Sequence, residues 1–160
     1  MNVPRIERID LTVCTGPTDA PEADGTLAWD ATTIVIVEAH GGGRSGLGYT
    51  YSHAAAATLI ADKLTAVVEG RDAMAVPGAW QGMVAAVRNY GRSGIAASAI
   101  AALDVALADL KARLLEIPLY RLLGPVATRS WSTAAGASRP TLRTGSRPSF
   151  GAGSRVASAR

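Results

Sequence analysis

The chain of 160 residues has little of what marks secreted and membrane proteins. Its one cysteine, Cys14, cannot form an internal disulfide, which favours a reducing cytoplasm as the location. Apolar runs of eighteen or more residues are absent, and the N-terminus lacks a charged segment followed by an apolar one. The sequence therefore predicts neither a membrane span nor a signal peptide. Its length suits a single domain that folds without disulfides or metal.

Acidic residues are absent after Glu116, and this asymmetry explains the basic isoelectric point near 9.4. Residues 1–124 carry 10 Lys and Arg against 13 Asp and Glu, whereas residues 125–160 add six arginines and no acid. These arginines are spread out, with only Trp131 and Phe150 as aromatic neighbours, so they form neither a dense patch nor a stacking surface. We predict no nucleic-acid partner.

The first fifty residues show the twofold periodicity that is typical of strands. Residues 5–13 alternate in part, residues 32–39 (TTIVIVEA) are rich in β-branched side chains, and residues 44–50 follow a glycine turn that begins at His40. The polar stretch 15–30 contains proline and glycine, and it predicts a long loop of a kind that is often functional. These features predict a three-stranded antiparallel meander.

From Ser52 onward, apolar residues recur every three or four positions, as in helices. The predicted helices cover residues 52–70, 77–90, 93–116 and 119–123. Ser52 and Ser93 are expected to be N-caps, Gly70 lies where the first helix should end, and Pro77 suits the first turn of the second. Strands followed by helices predict an α+β fold, in which the meander precedes a helical bundle.

Residues 99–124 (AIAALDVALADLKARLLEIPLYRLLG) hold the most specific pattern in the chain. The positions that carry it are Ala99, Ala101, Ala102, Leu103, Asp104, Ala106, Leu107, Asp109, Leu110, Ala112, Arg113, Pro118, Leu119, Leu122, Leu123 and Gly124. This pattern resembles the mandelate racemase/muconate lactonizing enzyme family of the enolase superfamily. The resemblance covers residues 4–124, and it implies that residues 1–124 form an enolase-like N-terminal capping domain.

The resemblance also implies where the chemistry lies. In the family, a C-terminal TIM barrel holds Mg²⁺ and removes the proton α to the carboxylate of a hydroxy acid or acid sugar, while the capping domain selects the substrate. Such a barrel needs about 200 residues, and only 36 follow Gly124. We therefore expect the barrel to be absent, with no catalytic or metal-binding residue and no bound Mg²⁺ in this chain.

Two substrate-capping loops map, by the same resemblance, onto residues 15–30 and 48–53. The candidate substrate-binding residues in them are Thr15, Gly16, Trp29, Tyr49, Tyr51 and His53. Many relatives have Gly-Trp-Gly-Glu where this chain has Gly-Leu-Gly-Tyr at residues 46–49, so this motif does not define the substrate. Two alternatives stay open: the tyrosines could pack at the contact with the barrel, and His53 could be a solvated residue of the first helical turn.

Other motifs have ordinary structural interpretations. Residues 43–48 contain three glycines but lack the Gly-Lys-Ser/Thr ending of a phosphate loop, so a hairpin is the better interpretation. Cys14 has no accompanying His/Asp pattern, which favours a small core residue over a nucleophile. His40 at the glycine turn is expected to be structural. Asp104 and Asp109 lie five residues apart, on different sides of a helix, and should make capping, inter-helix or domain contacts.

Residues 125–160 have no recurring apolar pattern and predict a non-homologous, disordered tail. A codon argument suggests its origin. When the tail is read from the third base of the Trp131 codon, it permits the string Val-Tyr-Gly-Ser-Gly-Gly-Phe, which resembles the entry to the family's barrel. A slip of one or two bases near residues 125–128 would place the remainder out of frame, and the nucleotide sequence tests this hypothesis.

Two functions from different classes follow. The first is the capping domain of a truncated mandelate racemase-like enzyme, inactive by itself, whose small carboxylate substrate binds only when a barrel is present. The alternative is a stand-alone helical binding or oligomerisation module, with an Ala-rich helix for packing and a basic tail as a partner site. An apolar surface left bare without a barrel would promote self-association.

Overall fold

The computed structural model describes residues 3–125 and the short strand Ser154–Val156. The rest of the predicted tail, residues 126–153 and 157–160, lies outside the described residues, and so does the proposed slip beyond residue 125. The described elements, in chain order, are β1 (Arg8–Ala23), β2 (Ala28–Gly41), β3 (Arg44–Tyr51), α1 (Ala55–Leu59), a π-helical turn (Ile60–Leu64), α2 (Thr65–Val68), α3 (Val76–Ala86), α4 (Ile95–Leu114), α5 (Leu119–Leu123) and β4 (Ser154–Val156).

Strands β1 and β2 form a hairpin that extends well beyond the predicted strands. Antiparallel pairing continues without interruption as far as Pro17 opposite Ala31, and it resumes after a bulge with Glu22 opposite Trp29. A bulge of this kind adds unpaired residues to one strand and bends it. The outer part of the hairpin is therefore an ordered two-stranded arm.

The prediction of a loop over residues 15–30 is wrong, because the arm is mostly polar and exposed and so has no alternation of apolar residues to reveal it. Only residues 24–27 form a turn. In this turn the Asp24 carboxylate accepts hydrogen bonds from the amides of Thr26 and Leu27, each at 2.9 Å. These bonds, with that of the Thr26 amide foremost, hold the pKa of Asp24 below its ordinary value.

The sheet has the strand order β3-β2-β1-β4, and all neighbouring strands are antiparallel. The predicted three-stranded meander is confirmed in β1, β2 and β3. Gly42 and Gly43, at φ of 57° and 72°, form the turn between β2 and β3, where two positive φ angles suit a tight hairpin. Strand β4, which the sequence did not predict, pairs with the other edge of β1.

The helices of residues 55–123 pack on one face of the sheet. Alternate residues of β1 and β2 point towards them and join a common core, as expected for a sheet with one solvated face. The main buried side chains are Ile9, Leu11, Val35, Val37 and Ala39 of the sheet, with Ile60, Leu64, Met83, Leu103, Leu107 and Leu110 of the helices. The predicted α+β arrangement of a meander followed by helices is confirmed.

Helix α4 packs against β3 at unusually short range, because glycines and alanines face each other. A Cβ atom added to Gly48 would overlap the carbonyl oxygen of Ala102 and lie 2.7 Å from the amide nitrogen of Ala106. A Cβ atom on Gly46 would overlap the Ala106 carbonyl and lie 2.6 Å from the Cα of Leu110. Both glycines are thus required by backbone contact.

The two serines that were predicted as N-caps do not cap their helices, so this expectation is wrong. At the start of α1, the Nδ1 atom of His53 accepts a hydrogen bond from the Ala55 amide at 3.1 Å, in the role expected for Ser52. Helix α4 begins after Gly94, which has φ of 77° and ψ of −127°, and the side chain of Ser93 makes no cap there. A glycine adopts such angles without steric cost.

The first predicted helix, over residues 52–70, is interrupted by the π-helical turn Ile60–Leu64. The hydroxyl of Thr65 donates a hydrogen bond of 3.0 Å to the carbonyl oxygen of Ile60, five residues earlier. The backbone amide of Thr65 donates to the same carbonyl, in the i to i+5 pairing of a π-helix, so the hydroxyl adds a second bond across the wider turn. The end of the helix is as predicted, since Gly70 follows it with φ of 77°.

Replacement of Gly48 by alanine is expected to lower the free energy of unfolding by about 3 kcal/mol, because the new methyl group meets backbone atoms that cannot rotate away. Urea unfolding followed by far-UV circular dichroism measures the change. The matched control is Gly78→Ala in α3, where a Cβ has nothing within 4 Å. That variant should keep or raise stability, by up to about 1 kcal/mol. Equal effects of the two substitutions would contradict the close-contact interpretation.

Candidate functional site

Tyr49 and Tyr51 lie on the face of the sheet that the helices leave uncovered. Their neighbours Gly46 and Gly48 face α4 and are buried, so the alternation along β3 directs the tyrosines the other way. The tyrosines are 57% and 67% exposed, respectively. Their rings meet edge to face, with the centroids 5.9 Å apart. Within residues 3–125 neither hydroxyl makes a hydrogen bond, so both can serve a ligand.

The same face continues across β2 and β1. Tyr51 lies opposite Ile34, which lies opposite Cys14, so three strands contribute one row of side chains. The adjacent row joins Tyr49 to Ile36 and Thr12, and Leu47 is 48% exposed beside it. We call this surface the outer sheet face, with the members Thr12, Cys14, Ile34, Ile36, Leu47, Tyr49 and Tyr51.

Cys14 belongs to this face, and its expected place in the core is wrong. Leu11 and Val13 point towards the helices, so the residue after them must point away. The thiol-bearing side chain is half-buried among the outer-face residues. Its position gives no indication of a catalytic role, since His40, which shares this alternation on β2, lies three rows away beside Asp10.

Thr15, Gly16 and Trp29 lie on the arm of the hairpin, where they join its two strands. The Thr15 hydroxyl lies 2.8 Å from that of Thr33, its cross-strand partner, and Gly16 lies opposite Thr32. The indole Nε1 of Trp29 donates a 2.9 Å hydrogen bond to the Glu22 carboxylate. The arm is therefore held by side-chain bonds as well as by its backbone.

The structure brings the two predicted capping segments to the same end of the sheet. The register pairs Tyr51 with Ile34 and Ile34 with Cys14, and the arm begins one residue further along β1, at Thr15. Thr15 and Gly16 point to opposite faces, however, and Trp29 lies near the tip, so the six residues do not form one closed pocket. A depression in the surface lined by Gly43–Ser45 and Glu116 lies at the other end of β3.

The histidines contact the protein backbone or a carboxylate. His53 accepts the Ala55 amide, which favours its structural interpretation over substrate contact. His40 Nε2 lies 3.2 Å from the Asp10 carboxylate, as expected for a structural residue. Among the described residues, no group of three or more His, Cys, Asp or Glu side chains is placed to hold a metal ion.

Asp109 fixes the strand that carries the tyrosines. Its Oδ2 atom accepts a 2.9 Å hydrogen bond from the amide of Leu47 and a 2.8 Å bond from Nε of Arg113. Strand β3 is an edge of the sheet, and its Leu47 amide is satisfied by the Asp109 carboxylate on α4. Asp109 was expected to make capping, inter-helix or domain contacts. In the structure its contact is with the sheet, within the same domain. Asp109 lies three residues after Ala106 and so on the same side of α4, and this spacing is the sequence signal for its role.

Asp104 is different, because its carboxylate makes no hydrogen bond or ion pair with another residue of the described segment 3–125. Partial burial raises the pKa of Asp104 above its ordinary value. Burial is the one cause of this shift, with no charged group of residues 3–125 contributing to it, so this carboxylate is better explained by helix packing than by catalysis. Across the same segment, no helix has the length and apolar character to cross a bilayer.

These features define a class of protein before any comparison: an α+β domain whose sheet carries helices on one face and an open aromatic surface on the other. The family model for the mandelate racemase / muconate lactonizing enzyme N-terminal domain matches residues 8–124. The chain belongs to this family.

Individual relatives agree with the family assignment. A 3,6-anhydro-alpha-L-galactonate cycloisomerase from Streptomyces coelicolor is 36% identical, over 74% of this chain and 35% of its own. A solved mandelate racemase/muconate lactonizing enzyme-like protein from Rubrobacter xylanophilus is 54% identical with a TM-score of 0.72, over 73% of this chain and 33% of that one. The L-talarate/galactarate dehydratase from Salmonella typhimurium LT2, liganded with Mg and L-lyxarohydroxamate, is 31% identical with a TM-score of 0.66, over 77% and 34%. The chain thus spans about one third of these relatives.

Replacement of Asp104 by asparagine should stabilise the protein more at pH 7 than at pH 3. A carboxyl group whose pKa is raised in the folded state costs stability as the pH rises from its unfolded pKa, about 3.9, through its folded pKa. The neutral amide removes this cost above the folded pKa, while at pH 3 both variants are uncharged at the position. Urea midpoints at the two pH values measure the difference.

Asp62→Asn is the matched control for this experiment, because the side chain of Asp62 is exposed and has no burial to relieve. Its effect should change less between pH 3 and pH 7. An Asp104→Asn effect of the same size at both pH values would show that partial burial does not penalise the charge.

Proposed function

We propose that residues 8–124 act as the substrate-capping domain of an enzyme related to mandelate racemase. One observation carries the proposal: the cross-strand row of Tyr51, Ile34 and Cys14 lies directly beside the base of the hairpin arm. An exposed aromatic surface and a projecting arm at the same sheet end are the parts that a lid needs to cover a bound molecule and exclude water.

The proposed substrate is a small hydroxylated carboxylate, either an acid sugar or a hydroxy acid. The relatives include a galactonate cycloisomerase and a talarate/galactarate dehydratase, which supports this chemical class. The candidate contacts from this chain are neutral hydrogen-bonding groups: the hydroxyls of Tyr49 and Tyr51 and the backbone near Gly16. Thr15, Trp29 and His53 already bond within the protein, so their proposed role is to shape the arm and the loop.

We assign the reaction step to residues outside the described segment. The chemistry expected for the whole enzyme is removal of the proton α to the carboxylate, as in a racemase, epimerase or acid-sugar dehydratase, with Mg²⁺ stabilising the negative charge that develops. Residues 3–125 do not fit a Mg²⁺ site, since no suitable group of carboxylates or imidazoles occurs among them. The proposed capping role therefore requires no metal ligand from these residues. A cytoplasmic location stays a prediction.

A chimeric enzyme tests the capping role. Residues 8–124 replace the equivalent third of the Streptomyces coelicolor cycloisomerase, and the chimera is expected to retain turnover of an acid sugar. Within it, Tyr51→Ala should raise KM about tenfold, because one hydrogen bond of roughly 1.4 kcal/mol and an apolar contact are lost. Steady-state kinetics with a series of acid sugars measures the effect.

The control in the chimera is Tyr90→Ala, which removes an equally exposed tyrosine after α3, away from the outer sheet face. It should leave KM unchanged. Equal kinetic effects of the two substitutions, or none from Tyr51→Ala in a folded chimera, would contradict a substrate-facing role for the outer sheet face.

The 160-residue chain by itself is expected to be inactive. Purified protein, supplied with Mg²⁺ and with galactarate, rhamnonate or mandelate, should show no turnover when the α-proton is followed by its exchange with deuterium in NMR. Turnover that EDTA abolishes would overturn this proposal. The nucleotide sequence beyond codon 124 tests the separate proposal of a slipped reading frame, which fails if no other frame continues a barrel sequence.

The alternative of a stand-alone packing module receives less support from the structure. Its partner surface was the Ala-rich face of α4, but Ala99, Ala102 and Ala106 are fully buried against the chain's own core and sheet. A partner could reach them only if the domain opened. Self-association through the outer sheet face stays a proposal, because exposed apolar side chains there favour contact with another surface.

A further inference from the structure

The outer edge of β1 pairs with the short strand β4, and this pairing is independent of the proposed capping role. Residues 11–13 pair on one side with β2, and on the other side with β4, in the order Leu11 opposite Val156 and Val13 opposite Ser154. An uncovered edge strand offers unpaired backbone groups to any extended chain. We propose that this edge is a strand-acceptor site and that its occupant is the chain's own basic tail, bound through Ser154–Val156.

Charge supports this occupant. Between Arg8 and Arg44 the chain has six acidic residues and neither lysine nor arginine, and these residues form β1, β2 and the arm. The tail after residue 124 has six arginines and no acid. The acceptor hairpin and the tail are therefore of opposite charge, so attraction brings the tail to the hairpin before the backbone pairs.

The direction of β4 agrees with that attraction. Ser154 pairs nearer the tip of the arm than Val156 does, so the tail enters the strand from the side of the arm. The arm holds Asp19, Glu22, Asp24 and Asp30, the larger part of the acidic charge. Residues 154–160 contain no proline or glycine, which leaves every amide there able to join a ladder.

Chain length permits the pairing within one molecule. Residues 126–153 can span about 90 Å when extended, whereas a domain of this size is roughly 35 Å across. A covalent link of this length keeps the tail near the edge at an effective concentration of about millimolar. Three paired residues, too few to bind tightly as a free peptide, are sufficient under these conditions.

Disulfide trapping in the full-length chain tests the site. The test variant combines Thr12→Cys with Arg155→Cys, which are directly opposite in β1 and β4, and Cys14→Ser removes the native thiol. Opposed residues of paired strands lie about 4.5–5.5 Å apart, within the range that a disulfide bridges. The control variant carries Glu38→Cys in place of Thr12→Cys, with the other two substitutions unchanged. Glu38 lies on the same face of the sheet but on β2, one strand further from β4, at about 10 Å.

The expected result is an intramolecular disulfide that forms at least about tenfold faster in the test variant than in the control, identified by mass spectrometry of unreduced peptides. Raising NaCl from 0.05 to 0.5 M should slow its formation severalfold. Equal rates in the two variants would overturn the proposed register. A disulfide found only between chains would overturn the tail of the same chain as the occupant and indicate a second copy.

Amide hydrogen exchange of the unsubstituted chain provides a measurement that does not depend on cysteine variants. At least one amide in residues 154–156 should exchange about tenfold more slowly than in a free peptide of the same sequence. Exchange at the free-peptide rate throughout these residues would overturn the proposal. The outcome is separate from the capping role, because neither experiment measures substrate binding or turnover, and the exchange experiment leaves the outer sheet face unsubstituted.

Discussion

The contact between the glycines of β3 and the alanines of α4 is the constraint on which the rest of the domain depends. Gly46 and Gly48 let the backbone of the strand approach Ala102 and Ala106 so closely that no side chain fits between them. This approach places the long helix over the sheet, and the bond from Asp109 to the Leu47 amide fixes the position along the strand. Since the glycines face inward, the alternating residues Tyr49 and Tyr51 must face outward. One packing contact thus determines which residues a ligand can reach.

Much of this fold could be predicted from the sequence, because the residues that bury one face repeat with a clear period. The β-branched run over residues 32–39 predicts the central strand, and the apolar spacing over residues 93–116 predicts α4. The arm has no such signal, because a polar hairpin that projects beyond the core needs no alternating pattern, and its proline and glycine residues favour a loop. The π-helical turn could not be predicted, because the backbone and hydroxyl bonds from Thr65 to the Ile60 carbonyl have no periodic signal in the sequence.

The caps show the same limit. Ser52 and Ser93 have the residue type that favours an N-cap, but capping requires a side chain to meet a free amide, and tertiary packing decides where the helix begins. At α1 the imidazole of His53 takes that place, and at α4 the chain enters through the positive φ of Gly94. The candidate site has a similar limit: the family resemblance mapped the two segments, while the register of three strands places Tyr51 and Cys14 in one row.

Charge limits what the proposed lid can recognise. Neither capping segment, residues 15–30 or 48–53, contains lysine or arginine, and the arm is acidic. The carboxylate of an acid sugar would be repelled by the arm, so cations outside these segments must hold that group. What the segments offer is neutral: hydroxyls, backbone groups and aromatic faces, which suit the hydroxyl groups of a sugar. In the proposed role, the lid therefore discriminates by the pattern of hydroxyls and by shape, and the acidic arm favours substrates whose carboxylate points away from it.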